Sequence, residues 1–327
     1  MVTGALSRRS FIKQSVGAAV AAGLVGSARP AGVRAAEPAS QPAGRTHPLR
    51  LGGRIFLKDG DPEAMALAHR QLGYRAAYCP AVNLKDSDRI QAISKAFARH
   101  DVLIAEVGRW CNLLEADPTK RAQNLKAVTE GLALAEAIGA LCCVDIAGTY
   151  STEFWFGPHP DNFSQRFFDE SVENARRIID AVKPKRAKFC FEMMGWAPPD
   201  SPDAYLRLIK AVDREAFGVH LDVCNLVNSP YRFYRNTELI NECFDKLGRW
   251  IVSCHAKDLT WDVEMNVHFR EVPAGAGKID YPTYLRRLAS LDHDVPLMIE
   301  HCGKPKDCDR ARQYILNQGA QLGLSFS

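Results

Sequence analysis

Four short apolar runs in this 327-residue chain end in side chains that bind metal ions. They are Phe189-Cys190-Phe191-Glu192, Val219-His220-Leu221-Asp222, Val252-Ser253-Cys254-His255 and Leu297-Met298-Ile299-Glu300. A charged carboxylate in an apolar run is costly unless it is paired or holds a metal. The runs are separated by roughly one strand-helix unit each, so their ends are expected to converge on one divalent ion. Glu192, Asp222, His255 and Glu300 make a mostly oxygen donor set with one nitrogen. Such a set suits Mn²⁺ first, then Mg²⁺ or Co²⁺, and can take Zn²⁺. A metal that chelates adjacent carbonyl and hydroxyl oxygens acidifies the carbon between them. Glu192 and Glu300 come from the first and last of the four runs, which suits removal of a proton on one face and its return on the other. Each of these residues taken alone reads more simply as a helix cap or an ion-pair partner. Four of them at matched positions favour ligation.

The neighbours of these residues carry second readings. Lys257 shares a strand face with His255 and can orient a substrate oxygen, or form a buried ion pair with a ligand carboxylate. Trp110 and Trp196 follow expected strands and offer indoles on which a sugar ring stacks, with plain loop packing as the alternative. Arg270 lies in a long loop before a glycine cluster, as an anion contact or a solvated charge. His220 lies deeper than Asp222 on the same face, as a core histidine or a partner of a ligand. His301 is expected to face away from the site, and Asp145 to be structural.

The elements that must position these residues alternate regularly. Apolar runs predict strands over 49–56, 74–80, 102–107, 140–147, 187–194, 217–226, 251–258 and 295–301. Between them, helical periodicity and caps such as Asp61-Pro62-Glu63, Asp117-Pro118-Thr119 and Ser201-Pro202-Asp203 predict helices. Eight strand-helix units predict a single (β/α)₈ barrel over 49–327, with a doubly wound open sheet as the competitor. The four ligand candidates fall late in strands five to eight, the end of a barrel where function collects.

Phe191-Glu192, Leu221-Asp222, Cys254-His255-Ala256-Lys257-Asp258, Glu271-Val272-Pro273 with Gly275-Ala276-Gly277-Lys278-Ile279-Asp280, and Ile299-Glu300 resemble the sugar isomerase/epimerase superfamily of xylose-isomerase-like barrels. The resemblance covers roughly 49–325. It implies that Glu192, Asp222, His255 and Glu300 ligate the metal and that Glu192 and Glu300 are the acid/base pair. Ketose 3-epimerases of that superfamily carry a substrate-contacting His where this chain has Asn225, and an Arg shortly after the His ligand where it has Lys257-Asp258. Asn225 therefore joins the substrate-binding candidates. The expected activity is metal-dependent sugar isomerisation or epimerisation. A lyase or dehydratase working by β-elimination on a keto-sugar, inosose or 3-keto-glycoside is the alternative, and a non-catalytic carbohydrate-binding barrel is a third reading. Endonuclease IV-like members need more His than these strand ends supply.

The chain begins outside the barrel. Ser7-Arg8-Arg9-Ser10-Phe11-Ile12-Lys13 precedes an uncharged stretch, the pattern of a twin-arginine export signal over 1–35, with 36–48 as a linker. The apolar stretch is shorter than the ~20 residues of a spanning helix, so no stable membrane anchor is expected after cleavage. The implied partners are the twin-arginine translocase and a small carbohydrate, and the implied location is periplasmic or otherwise exported. The formal charge of +4 includes Arg8, Arg9, Lys13, Arg29 and Arg34, and removing those five leaves about −1. A near-neutral mature chain gives no basis for nucleic-acid binding. Several of the ten cysteines lie in expected strands and read as buried free thiols, with Cys302 and Cys308 a minor candidate pair. Oligomeric state is left open, a homo-oligomer included.

Overall fold

The computed structural model describes residues 48–57 and 60–327. The expected signal and nearly all of the expected linker lie outside the described residues. Strands β1 (Arg50–Gly52), β2 (Ala76–Tyr78), β3 (Leu103–Gly108), β4 (Cys142–Asp145), β5 (Lys188–Glu192), β6 (Phe217–Leu221) and β7 (Ile251–Ala256) lead toward a hairpin of β8 (Asp258–Trp261) and β9 (Phe269–Val272), and then to β10 (Pro296–Ile299). The helices are α1 (Pro62–Gln71), α2 (Ser87–Arg99), α3 (Pro118–Ile138), α4 (Gln165–Val182), α5 (Pro202–Val212), the short α6 (Val223–Leu226) and α7 (Pro230–Tyr234), α8 (Asn236–Leu247), α9 (Tyr281–Ala289) and α10 (Pro305–Gln321).

The parallel sheet closes on itself in the order β1-β10-β7-β6-β5-β4-β3-β2. Leu51 lies opposite Leu297, which joins the first strand to the last and rules out the open-sheet alternative. The architecture is a single (β/α)₈ barrel. The helices start where local chemistry stops the strands. Asp61, Asp86, Asp117, Ser164, Ser201 and Asp280 each accept a backbone N–H in the first turn of α1, α2, α3, α4, α5 and α9. Helix α2 buries Ile90, Ile93, Ala96 and Phe97, one stripe at helical spacing. On the outside of β5 and β6, the rings of Phe189, Phe191 and Phe217 meet edge to face at 5.1 and 5.6 Å for the two contacts made by Phe191. Truncating one such buried ring costs about 3–5 kcal/mol.

Most strands are shorter than their apolar runs, and two of the differences from expectation lie beside the site. The sixth strand stops at Leu221 rather than running to 226. Asp222 caps α6 through Oδ1, which accepts the Asn225 N–H at 3.1 Å, so a side chain competes successfully with the strand ladder. The expected long loop after strand seven is an antiparallel hairpin in which Asp258 pairs with Val272. Its base is organised by Asp258, whose Oδ1 accepts Leu259 N and Ile279 N at 2.9 Å while Oδ2 accepts Gly275 N at 3.0 Å. A Cβ on Gly277 would stand 2.3 Å from Asp258 Oδ1, which explains the glycine in the Gly275-Ala276-Gly277 run. All ten cysteines are free, and Cys308 Sγ donates to the Cys302 carbonyl oxygen at 3.4 Å instead of forming a disulfide with it. Among the described residues no helix is long and apolar enough to cross a membrane.

Candidate active site and metal centre

The four ligand candidates meet at one mouth of the barrel. Glu192 ends β5, Asp222 follows β6, His255 lies near the end of β7 and Glu300 follows β10. A register shift between Val219 and His220 in the β6–β7 ladder occurs just before Asp222. Such irregularities re-aim side chains beside active sites. His255 Nδ1 stands 3.4 Å from Glu192 Oε1, 3.4 Å from Asp222 Oδ2 and 3.2 Å from Glu300 Oε2. One donor atom from each of the four residues lies within 4.8 Å of all the others.

The other ring nitrogen of His255 is held from below. Nε2 is 3.2 Å from Glu106 Oε1, a fully buried carboxylate on β3 whose Oε2 accepts the Ser253 hydroxyl at 2.9 Å. A carboxylate on Nε2 fixes the proton there and leaves the Nδ1 lone pair free to ligate. Nδ1 is buried and makes no hydrogen bond, although three carboxylates face it. This orphaned nitrogen, surrounded by hard oxygen donors, fits a divalent cation.

Two side chains, His255 and Lys257, balance the negative charge of the carboxylates. Lys257 Nζ lies 2.9 Å from Asp222 Oδ2, 2.8 Å from Glu300 Oε2 and 3.5 Å from Glu271 Oε2. Burial disfavours charge on Glu300, but His255 and Lys257 outweigh it and hold its carboxyl down to about 2. Burial likewise opposes charge on Lys257 and His255, and the facing carboxylates override it and hold both well above their ordinary values. Of the two readings of Lys257, the structure shows the buried ion pair.

Glu192 is fixed through both oxygens. Trp110 Nε1 donates to Oε2 at 2.5 Å, and Asn225 Nδ2 donates to Oε1 at 3.1 Å and to the Met193 carbonyl oxygen at 3.0 Å. Trp110 adopts a φ of 25°, a sparsely populated backbone region for a bulky side chain. Its ring covers Gly108, where a Cβ would fall 1.8 Å from the indole. The expected stacking indole is thus first a hydrogen-bond donor that aims a carboxylate.

A cavity of about 920 Å³ opens onto the cluster. Glu106, Glu192, Lys257 and Glu300 reach its surface together with Trp110 and Asn225. A family model of xylose isomerase-like TIM barrels matches residues 67–320. The chain belongs to the xylose isomerase-like TIM barrel family. No curated protein matches the sequence. Among solved structures, a xylose isomerase-like TIM barrel protein from Mycobacterium smegmatis in complex with magnesium is 19% identical, with a TM-score of 0.57 over 83% of this chain and 96% of that one. The probable 3-DHS dehydratase AsbF from Bacillus anthracis is 15% identical, with a TM-score of 0.60 over 82% and 98%. A D-psicose 3-epimerase from Clostridium cellulolyticum H10, solved with D-tagatose, is 14% identical, with a TM-score of 0.58 over 84% and 99%. These likenesses share the fold.

Within this xylose isomerase-like barrel, two candidates from the sequence lie away from the cavity wall. Trp196 is 59% exposed, and its backbone carbonyl accepts Asn162 Nδ2 at 3.1 Å. Arg270 is exposed on β9 and pairs with Asp262 at 3.1 Å, because the hairpin turns it outward. His301 corrects an expectation in the other direction. It lines the cavity, with Nδ1 bonded to Glu271 and Nε2 3.4 Å from Glu300 Oε1. Its φ of 52° breaks the strand alternation on which the outward reading rested. Asp145 accepts the Cys111 N–H at 2.8 Å and is structural as expected, and burial pushes its carboxyl up to about 8. His220 is fully buried beside Glu106, with Nδ1 3.4 Å from Glu106 Oε2 and its ring 4.1 Å from that of His255.

Sequence reasoning missed Glu106, Trp155 and Phe156 and gave Glu271 no role beyond its place in the family motif, and all four lie at the cavity surface. Glu106 carried the same signal as Asp222, one acid inside the apolar run Leu103-Ile104-Ala105-Glu106-Val107. The two aromatics lie in the loop after β4 and had no local signal.

Proposed function

We infer that the chain is a metal-dependent isomerase or epimerase of a small carbohydrate. The observation that carries this reading is the pair Glu192 and Glu300. Both flank one donor cluster, and they come from strands three places apart in an eight-strand ring, so they reach its centre from different sides. A bound divalent ion would be held by Glu192, Asp222, His255 and Glu300, with Mn²⁺ the first choice and Mg²⁺, Co²⁺ or Zn²⁺ the alternatives. The chemistry the ion would supply when bound is Lewis-acid polarisation of a sugar carbonyl, which would acidify the neighbouring C–H.

The protein supplies the rest. One carboxylate removes the proton from that carbon and the other returns a proton on the opposite face or to the neighbouring carbon. Trp110 and Asn225 hold Glu192 at a fixed angle during the transfer. Lys257 donates to Glu300 and lowers its basicity, which favours Glu192 as the base, and Glu300 delivers a proton that it first takes up from the substrate hydroxyl it holds or from solvent. Solvent deuterium incorporation into keto-sugars by the metal-supplemented enzyme tests the assignment. Glu192→Gln and Glu300→Gln are each expected to lower exchange by about 10²–10⁴-fold with the metal still bound. Undiminished exchange in both variants would remove the proton-transfer reading.

A lyase is the second reading, and Lys257 is the observation that favours it. An ammonium at the mouth can protonate a leaving oxygen after the same abstraction step. Loss of water or of an aglycone in product mass spectra, in place of an isomer, selects it. Bound ligand without exchange or product selects the binding-protein reading. Export by the twin-arginine translocase to the periplasm rests on Ser7 to Lys13 and on the near-neutral charge left after cleavage. Replacing Arg8 and Arg9 by lysines is expected to retain the precursor in the cytoplasm.

A further inference from the structure

The cavity has two chemically different ends. Its floor is the acidic cluster. One side of its rim is the loop after β4, which contributes Trp155 and Phe156. Each of these two rings is 37% exposed, and they meet edge to face at 4.8 Å with planes at 88°. Together they form an aromatic corner open to the cavity.

The loop that carries the corner is not a loose connection. Three buried polar side chains pin it from behind: Asn112, Thr149 and Asn162. Asn112 Oδ1 accepts Thr149 N at 2.8 Å, and Asn112 Nδ2 donates to the Thr149 carbonyl oxygen at 2.9 Å. Thr149 Oγ1 donates to the Gly157 carbonyl oxygen at 2.7 Å, just past the aromatic pair. Asn162 accepts Tyr150 N at 2.9 Å and donates to Thr149 Oγ1 at 3.0 Å. A satisfied buried network of this kind rigidifies what it holds. Here it holds two large apolar rings partly in water, at a cost in apolar exposure that packing alone does not explain.

Size points the same way. Pockets that enclose drug-sized molecules run from about 300 to 1,000 Å³, and this cavity of about 920 Å³ lies near the top of that range. A single hexose is smaller than the drug-sized molecules such a volume encloses, so the cavity has room for more than the sugar.

We propose that the aromatic corner of Trp155 and Phe156 is a subsite for the aglycone of a glycoside, so that the substrate is a sugar bearing a planar apolar group rather than a free monosaccharide. This rests on the reading of the acidic floor as a carbohydrate site. The sugar occupies the floor beside Glu192 and Glu300, and the planar group stacks in the corner, where ring stacking adds to the burial of apolar area.

The test compares matched probes on the metal-loaded full chain by calorimetry: p-nitrophenyl and methyl glycosides of α- and β-D-glucose and of their 3-keto derivatives. The p-nitrophenyl member of at least one matched pair is expected to bind about tenfold or more tightly than its methyl counterpart. The doubly substituted Trp155→Ala, Phe156→Ala protein is expected to lose that preference while its affinity for the methyl glycosides and for the metal stays the same. Trp196→Ala, an exposed indole off the cavity wall, is the control and keeps the preference. Equal binding of every p-nitrophenyl and methyl pair overturns the subsite, and so does a preference that survives the double substitution. If free keto-sugars exchange deuterium while the aryl preference is absent, the subsite falls and the carbohydrate reading stands. If no glycoside binds and no keto-sugar exchanges, both fall.

Discussion

The barrel mouth and the layer beneath it use the same residue types for opposite ends. At the mouth, Glu192, Asp222 and Glu300 face His255 Nδ1, and Lys257 is the ammonium that balances them. Below, Glu106, His220 and Ser253 surround His255 Nε2, and all three are completely buried. Both groups are compact enough to hold an ion. The difference is charge and the number of donors. The mouth gathers an excess of carboxylates on an open cavity, which only a cation or an ammonium can neutralise. The lower layer has one carboxylate, already bonded to a hydroxyl and an imidazole, and three donors in place of four. Burial pushes the Glu106 carboxyl up, and the two imidazoles outweigh it and hold it below its ordinary value. The mouth therefore fits a cation, and the lower layer aims His255.

Removing one donor from each layer and titrating metal separates the two roles. Asp222→Ala is expected to abolish the single bound divalent ion, read by metal analysis of the purified protein. Glu106→Gln keeps the ligand set but loses the charge that fixes the His255 tautomer, and a loss of about 10–100-fold in metal affinity is expected. The reverse outcome, with Asp222→Ala still loaded and Glu106→Gln empty, would place the ion in the lower layer.

A smaller effect concerns a carboxylate that belongs to neither layer. Asp145 has a folded value raised to about 8 by burial, above its ordinary 3.8. The folded state then binds a proton that the unfolded chain has released. Its contribution to stability is fully present below about pH 4 and is lost as pH rises toward about 8. Denaturant midpoints across that window are expected to fall with pH, and Asp145→Asn is expected to flatten that part of the slope. An unchanged slope in the variant would show Asp145 to be ionised when folded. The smallest effect is expected for Arg270→Ala. Its exposed pair with Asp262 is worth about 0–1 kcal/mol, so stability and metal affinity should stay within error.

The barrel and the grouping of the four mouth residues are legible along the chain. Both are written in local terms: apolar runs of strand length, capped helices between them, and one costly acid or imidazole at each strand end. Parallel strands closed by helices then bring those ends to one side, so the grouping follows from topology without knowledge of any contact. The remaining features depend on direction and on distance through space. Asp222 ends its strand by capping α6, and His301 turns inward through a positive φ, so strand alternation misread the span of β6 and the side of His301. Lys257 had two readings along the chain, and only the fold shows the 2.8 Å contact with Glu300. Glu106 is separated by 149 residues from the imidazole it aims, and Trp155 and Phe156 reach the cavity through a loop held by buried amides. Nothing in the spacing of those residues along the chain encodes the contact, because it is made by strands and loops that meet only after the sheet has closed.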